Sequence, residues 1–130
     1  MNEIYDFLKK AGTYFLATAE GDQPRVRPFG TIDIFEGKLY IQTGLSKDVA
    51  KQIQANPKVE LCAFDGGKWI RVTAEAKLDE NIEAQKHMLE SFPELKAMYQ
   101  PGDGNTAVFA LTNGSAVIAS FTEAPQTYTF

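Results

Sequence analysis

From Ile70 to Leu78 the chain alternates apolar and polar side chains without a break, through Ile70-Arg71-Val72-Thr73-Ala74-Glu75-Ala76-Lys77-Leu78. A period of two puts Ile70, Val72, Ala74, Ala76 and Leu78 on one face of a strand. Trp69, Arg71, Thr73, Glu75 and Lys77 fall on the other. The strand therefore has one dry side and one polar side, as in an antiparallel sheet packed on one face.

The rest of the chain supplies partners for such a strand. Ile4, Phe7, Leu8 and Ala11 recur at helical spacing, so residues 2 to 11 read as an amphipathic helix stopped at Gly12. Residues 13 to 19 read as a strand that turns at Glu20-Gly21-Asp22-Gln23 into a second, long strand from Arg25 to Phe35. In that strand Ile32 and Ile34 are set against Thr31 and Asp33, and Pro28 belongs at an edge or a bulge, with Gly30 supporting a bend. Glu36-Gly37 then turns the chain into a third antiparallel strand over 38–43.

A helix follows, capped by Ser46 and closed by Asn56-Pro57, with Val49, Ala50 and Ile53 inward. Residues 58–64 form another strand, and Asp65-Gly66-Gly67 turns it into the alternating run. Residues 81–91 read as a helix capped at Asp79 or Asn81, and residues 92–99 as a shorter one. Segments 106–112 and 115–121 read as two strands joined by a tight turn or sharp bend at Asn113-Gly114. The tail from Thr122 is expected to be loosely held or to lie on a partner. Strand and helix do not alternate regularly, which disfavours a doubly wound sheet. The pattern predicts one mainly β domain over 1–130, an antiparallel split barrel of about six to seven strands with short helices at its rim.

A formal net charge of −4 argues against nucleic acid or an anionic membrane as the main partner. The N-terminal segment has acidic residues and no continuous apolar run, so neither a signal peptide nor a membrane span is expected, and the cytoplasm is the default. Cys62, the one cysteine, reads as a small buried core residue. His87, the one histidine, reads as a surface residue, with no metal-ligand pattern around it.

Against this acidic background stand two basic clusters. In Gly44-Leu45-Ser46-Lys47-Asp48-Val49-Ala50-Lys51, cations lie at the opening of a helix, where the partial positive charge makes Lys47 unfavourable unless an anion sits there. Ser46, Lys47 and Lys51 with free N–H groups would cradle a phosphate, or they are an ordinary solvated helix start. In Arg25-Val26-Arg27-Pro28 the two arginines share a strand face, suited to a phosphate or planar oxygen acceptors, or to acidic partners on a neighbouring strand. Trp69 and Arg71 could flank a flat ring, or pair across strands.

In order and spacing, Gln23-Pro24-Arg25-Val26-Arg27-Pro28-Phe29-Gly30, Leu39-Tyr40-Ile41-Gln42-Thr43, Ser46-Lys47, Asn56-Pro57-Lys58-Val59-Glu60-Leu61 and Trp69-Ile70-Arg71-Val72 resemble the pyridoxamine 5′-phosphate oxidase-like family of FMN-binding split barrels. The resemblance runs from about Tyr14 to Phe121. It implies a homodimer with FMN at the subunit interface and an oxidoreductase whose chemistry belongs to the flavin, with no catalytic side chain and a small-molecule electron donor and acceptor. It implies that Arg25, Val26, Arg27 and Pro28 lie along the flavin, that Thr43, Ser46, Lys47 and Lys51 hold the phosphate, and that Trp69 and Arg71 approach from the partner subunit. A flavin-storing, sensing or shuttling module is the non-catalytic alternative, and deazaflavin- or haem-binding relatives share the barrel. Where relatives often have Gly after the Trp-Ile-Arg strand, this chain has Thr73-Ala74. The C-terminal His and Arg of true pyridoxamine-phosphate oxidases have no counterpart here, and His87 does not match the cofactor-side histidine of nitroimidazole-reductase-like members. Neither sub-activity is therefore expected.

Overall fold

The computed structural model describes residues 1–130. Its elements run α1 (Asn2–Ala11), β1 (Tyr14–Glu20), β2 (Gln23–Phe29), β3 (Asp33–Phe35), β4 (Lys38–Gly44), α2 (Asp48–Ala55), β5 (Lys58–Asp65), β6 (Lys68–Asp79), α3 (Ile82–Ser91), a 3-10 turn (Pro93–Ala97), β7 (Thr106–Ser120) and β8 (Gln126–Thr129). The strands form one sheet in the order β2-β1-β5-β6-β7-β4-β3, with β8 added to β7. All pairs are antiparallel.

The sheet curls around a core of 21 buried residues but does not close. β2 pairs only with β1 and β3 only with β4, so each is an edge. The segment between them crosses the open side, where Gln42 N donates to Thr31 Oγ1 at 3.0 Å. This is a split barrel, and its eight strands slightly exceed the expected number.

β6 has the predicted faces. Ile70, Val72, Ala74 and Ala76 are buried inward beside Leu16, Leu61, Ile41 and Phe109. Helix α1 adds Ile4 and Leu8 to this core, and α2 adds Val49, Ala50 and Ile53. Ala84 and Met88 of α3 build a second, smaller cluster with Tyr40, Val108 and Ala110, so β4 is covered on both faces.

Several expectations are corrected by long-range pairing. The stretch Arg25–Phe35 is two strands at opposite edges of the sheet, because residues after Phe29 leave β1 and join β4 instead. Asp33 is not on a polar face. It is 3 % exposed, and its carboxylate meets His87 Nδ1 at 2.6 Å and Ser91 Oγ at 3.0 Å. His87, only part-buried, thus has a carboxylate partner that its own helix does not reveal. Cys62 is exposed, because its register against Phe15 and Arg71 puts it on the outer face. Segments 106–112 and 115–121 belong to one strand, which passes through Asn113 at φ 48 opposite a register shift between Thr73 and Glu75 of β6. The tail is ordered as β8 along Ser115–Ile118. Pro28 does lie on an edge strand, where its missing N–H costs no ladder bond.

Candidate functional site

The start of α2 is shaped by two loops that meet. Leu45 N donates to the carbonyl of Asn105 at 2.7 Å and Ser46 N to its side-chain oxygen at 3.0 Å, while Lys47 N donates to Gly44 O at 3.0 Å. The helix begins one residue later than Ser46 would set it. Lys47, in extended conformation, is the cap residue, Ser46 makes no capping bond, and the helix has eight residues rather than about three turns. Ala50 N and Lys51 N both reach Lys47 O, which leaves the N–H groups of Asp48 and Val49 without a partner. Ser46, Lys47 and Lys51 are exposed, and neither lysine is in an ion pair. Thr43, at the end of β4, is 6 % exposed and paired with Ala107. Two free donors, a hydroxyl and an ammonium with no capping acceptor suit an anion.

The edge strand β2 splits the second cluster between two faces. Arg25 and Arg27 stand opposite Thr18 and Leu16 and point inward toward α2, whereas Val26 and Pro28 stand opposite Ala17 and Phe15 on the outer face. Both guanidiniums are engaged. Arg25 donates from Nε and Nη2 to Glu20 Oε1 at 3.1 and 2.8 Å. Arg27 donates from Nη1 to Thr18 Oγ1 and Leu16 O, and from Nη2 to Gln52 Oε1 at 2.7 Å. Desolvation, then the charge of Arg25, lowers the pKa of Arg27. Hydrogen bonds from Arg25, then its charge, hold the Glu20 carboxyl below its usual value. Between this hairpin and α2 lies an open cavity of about 490 Å³, lined in part by Glu20, Asp48, Lys51 and Gln52.

Trp69 and Arg71 lie on the opposite, outer face of the sheet, opposite Phe64 and Cys62. Trp69 packs against Phe121 with ring centroids 5.0 Å apart, and Arg71 Nη2 reaches Glu60 at 3.0 Å. A cavity of about 460 Å³ runs along this face past Thr73, Val117 and Pro125. Within one chain, then, the structure does not bring Trp69 and Arg71 together with the arginines of β2. Phe15, Val26, Phe64 and Val117 share that outer face and are exposed.

Sequence reasoning missed Asn105, Thr18, Glu20 and Gln52. Only Gln52 left a signal, as a polar residue beside Val49 and Ile53 on the inner side of a short helix. No helix is long and apolar enough to cross a membrane.

The family model for pyridoxamine 5′-phosphate oxidase matches residues 1–117. Among solved structures, a NimC/NimA family protein from Clostridium acetobutylicum is 44% identical, with a TM-score of 0.97 over 100% of this chain and 92% of that one. General stress protein 26 from Bacillus anthracis is 18% identical, with a TM-score of 0.75 over 98% of this chain and 97% of that one. The heme storage protein HutZ from Vibrio cholerae is 19% identical, with a TM-score of 0.64 over 85% and 87%. The sequence matches no curated protein. The two distant structures share the fold, while the matched span of the family model and the 44% identity settle kinship: the chain belongs to the pyridoxamine 5′-phosphate oxidase family and is akin to its NimC/NimA relative.

Proposed function

We propose that residues 1–130 are a single FMN-binding domain that works as a cytoplasmic homodimer and exchanges electrons between small molecules. The observation that carries this reading is the start of α2, where two unpartnered N–H groups, Ser46 and Lys47 face outward with no capping acceptor. An anion there relieves both the free donors and the misplaced cation. Thr43 and Lys51 complete the phosphate end.

The ring end requires a second chain. Arg25 and Arg27 face α2, and Trp69 and Arg71 face the other way, so one copy cannot enclose a flat ligand with both sets. The exposed apolar row on the outer face gives a partner copy something to cover. FMN supplies hydride and electron transfer when bound. The chain's own residues bind and orient it, and Arg25 and Arg27 bring positive charge to the ring edge, alongside the backbone of Val26 and Pro28. The unpaired Cys62 on the surface accords with a reducing compartment.

The test is the absorption spectrum of the purified protein, followed by titration with FMN. Flavin bands, or tight uptake of added FMN, are expected. A colourless protein that takes up no FMN overturns the reading, and a haem spectrum redirects it to the chemistry in HutZ's name. Turnover of NADH or NADPH with a nitro compound, quinone or azo dye separates an oxidoreductase from a flavin store or shuttle.

A further inference from the structure

We infer that Gln52, with Thr18, is a positioning residue for Arg27, so that helix α2 serves both ends of the cofactor; this rests on the flavin reading above. Gln52 is 8 % exposed and Thr18 is 4 % exposed. The amide oxygen of Gln52 accepts from Thr18 Oγ1 at 2.6 Å and from Arg27 Nη2 at 2.7 Å. Thr18 Oγ1 accepts from Arg27 Nη1 at 2.8 Å, and the same nitrogen reaches Leu16 O at 3.2 Å. These contacts form a closed triangle in which every member is bonded to the other two.

The triangle determines which edge of the guanidinium is free. Three of its five N–H groups are committed inward. The Nε–H and one Nη2–H remain for a ligand, held in a fixed plane. Arginine on a strand edge otherwise has several rotatable bonds, and ordering it at the moment of binding costs affinity. A buried amide between Val49 and Ile53 is costly in an apolar helix face unless bonded, and here both lone pairs of its oxygen are used. Arg25 is held separately, by Glu20 of the same hairpin. The helix that carries Gln52 presents Lys47 and its free N–H groups at its start. Helix α2 therefore presents the phosphate seat at its start and holds the ring-edge guanidinium of β2 through Gln52.

The experiment compares Gln52→Met, Thr18→Val and Thr18→Ser with Arg27→Ala and Lys47→Glu. Dissociation constants for FMN and riboflavin, the midpoint potential of bound flavin and the melting temperature are measured for each. Gln52→Met and Thr18→Val are expected to weaken FMN and riboflavin by the same factor, about tenfold, the scale of a lost hydrogen bond to a charged group. Both should also shift the potential in the direction that Arg27→Ala shifts it. Thr18→Ser keeps the hydroxyl and should stay near wild type. If Gln52→Met does not fold, Thr18→Val, which keeps the shape, decides alone. Wild-type affinities and potential in a folded Gln52→Met or Thr18→Val protein, where Arg27→Ala alters them, overturn the assignment and leave the flavin reading standing. Wild-type protein that binds neither flavin overturns both.

Discussion

Asn105 holds the backbone of Ser46 in place: its side-chain oxygen accepts from Ser46 N at 3.0 Å, and its carbonyl accepts from the neighbouring Leu45 N at 2.7 Å. The loop before β7 thus sets how β4 enters α2. Asn105→Ala removes one of these two bonds and frees the turn. FMN affinity is expected to fall severalfold with a stability loss of about 1 kcal/mol, read by titration and by denaturant unfolding. Unchanged affinity would mean that the turn keeps its shape without Asn105.

Asp103 organises the same loop. Its carboxylate accepts from the backbone of Thr106, Gln100 and Asn105 and from the Thr106 hydroxyl, and bonds to Thr106 N and Gln100 N do most to hold its pKa far below the usual carboxylate range. A depressed native pKa contributes stability that is complete above the unfolded value, about 4, and is lost as pH falls through the native one. Asp103→Asn is therefore expected to melt lower than wild type at pH 7. The gap should narrow as pH falls from about 4 toward the depressed native value, because the carboxyl of the unfolded wild-type chain takes up a proton over that range while the folded one does not. A gap independent of pH would show that the lost bonds, not the charge, were responsible.

What the sequence made legible follows from how local each signal is. The run from Ile70 to Leu78 gave its faces correctly, because side-chain alternation is a property of the strand itself. The caps at Asn81 and the stop at Gly12 were equally local. Arg25 to Phe35 was misread as one strand because β2 and β3 differ only in their partners, which lie at opposite edges. Cys62 reads as core from its apolar neighbours, but it alternates with the buried Leu61 and Ala63 and so faces outward. The two basic clusters were visible as charge, but the ties of Arg25 to Glu20 and Arg27 to Gln52 depend on tertiary contact.

Lys47 caps α2 with no acceptor of its own, so charge reversal there isolates the phosphate contribution. Lys47→Glu is expected to weaken FMN by tenfold or more, about 1.4 kcal/mol or above, while riboflavin changes little. Equal loss of both ligands would put the phosphate elsewhere.

Val26 and Phe64 are 68 % and 66 % exposed on the outer face of the sheet. A charge placed there has no cost in a monomer and a large one in a covered interface. Phe64→Asp and Val26→Glu are expected to leave the melting of a monomer intact but convert a dimer to monomer in sedimentation equilibrium. Flavin binding should weaken in the same variants, because Trp69 and Arg71 would no longer be supplied from a second chain. Dimers that persist in both variants would place the interface on another face.

Gly114 and Phe130 exchange backbone hydrogen bonds at 2.9 and 3.0 Å, which closes β8 onto β7. The Phe130 ring lies so close to Gly114 that a Cβ at that position would clash with its Cζ, Cε1 and Cε2 atoms. The ring packs at the edge of the main core, so Gly114→Val must push it away and break the clasp. The expected loss is about 1–3 kcal/mol, the scale of overpacking. Hydrogen exchange should locate the loss: amides of Gln126–Thr129 lose protection, and the β6–β7 ladder beside them keeps it. Uniform loss across β6 and β7 would mean instead that β8 is part of the cooperative core. In that event the Trp69 face would be disordered with it, since β8 pairs along the strand segment that flanks Arg71 through Val117.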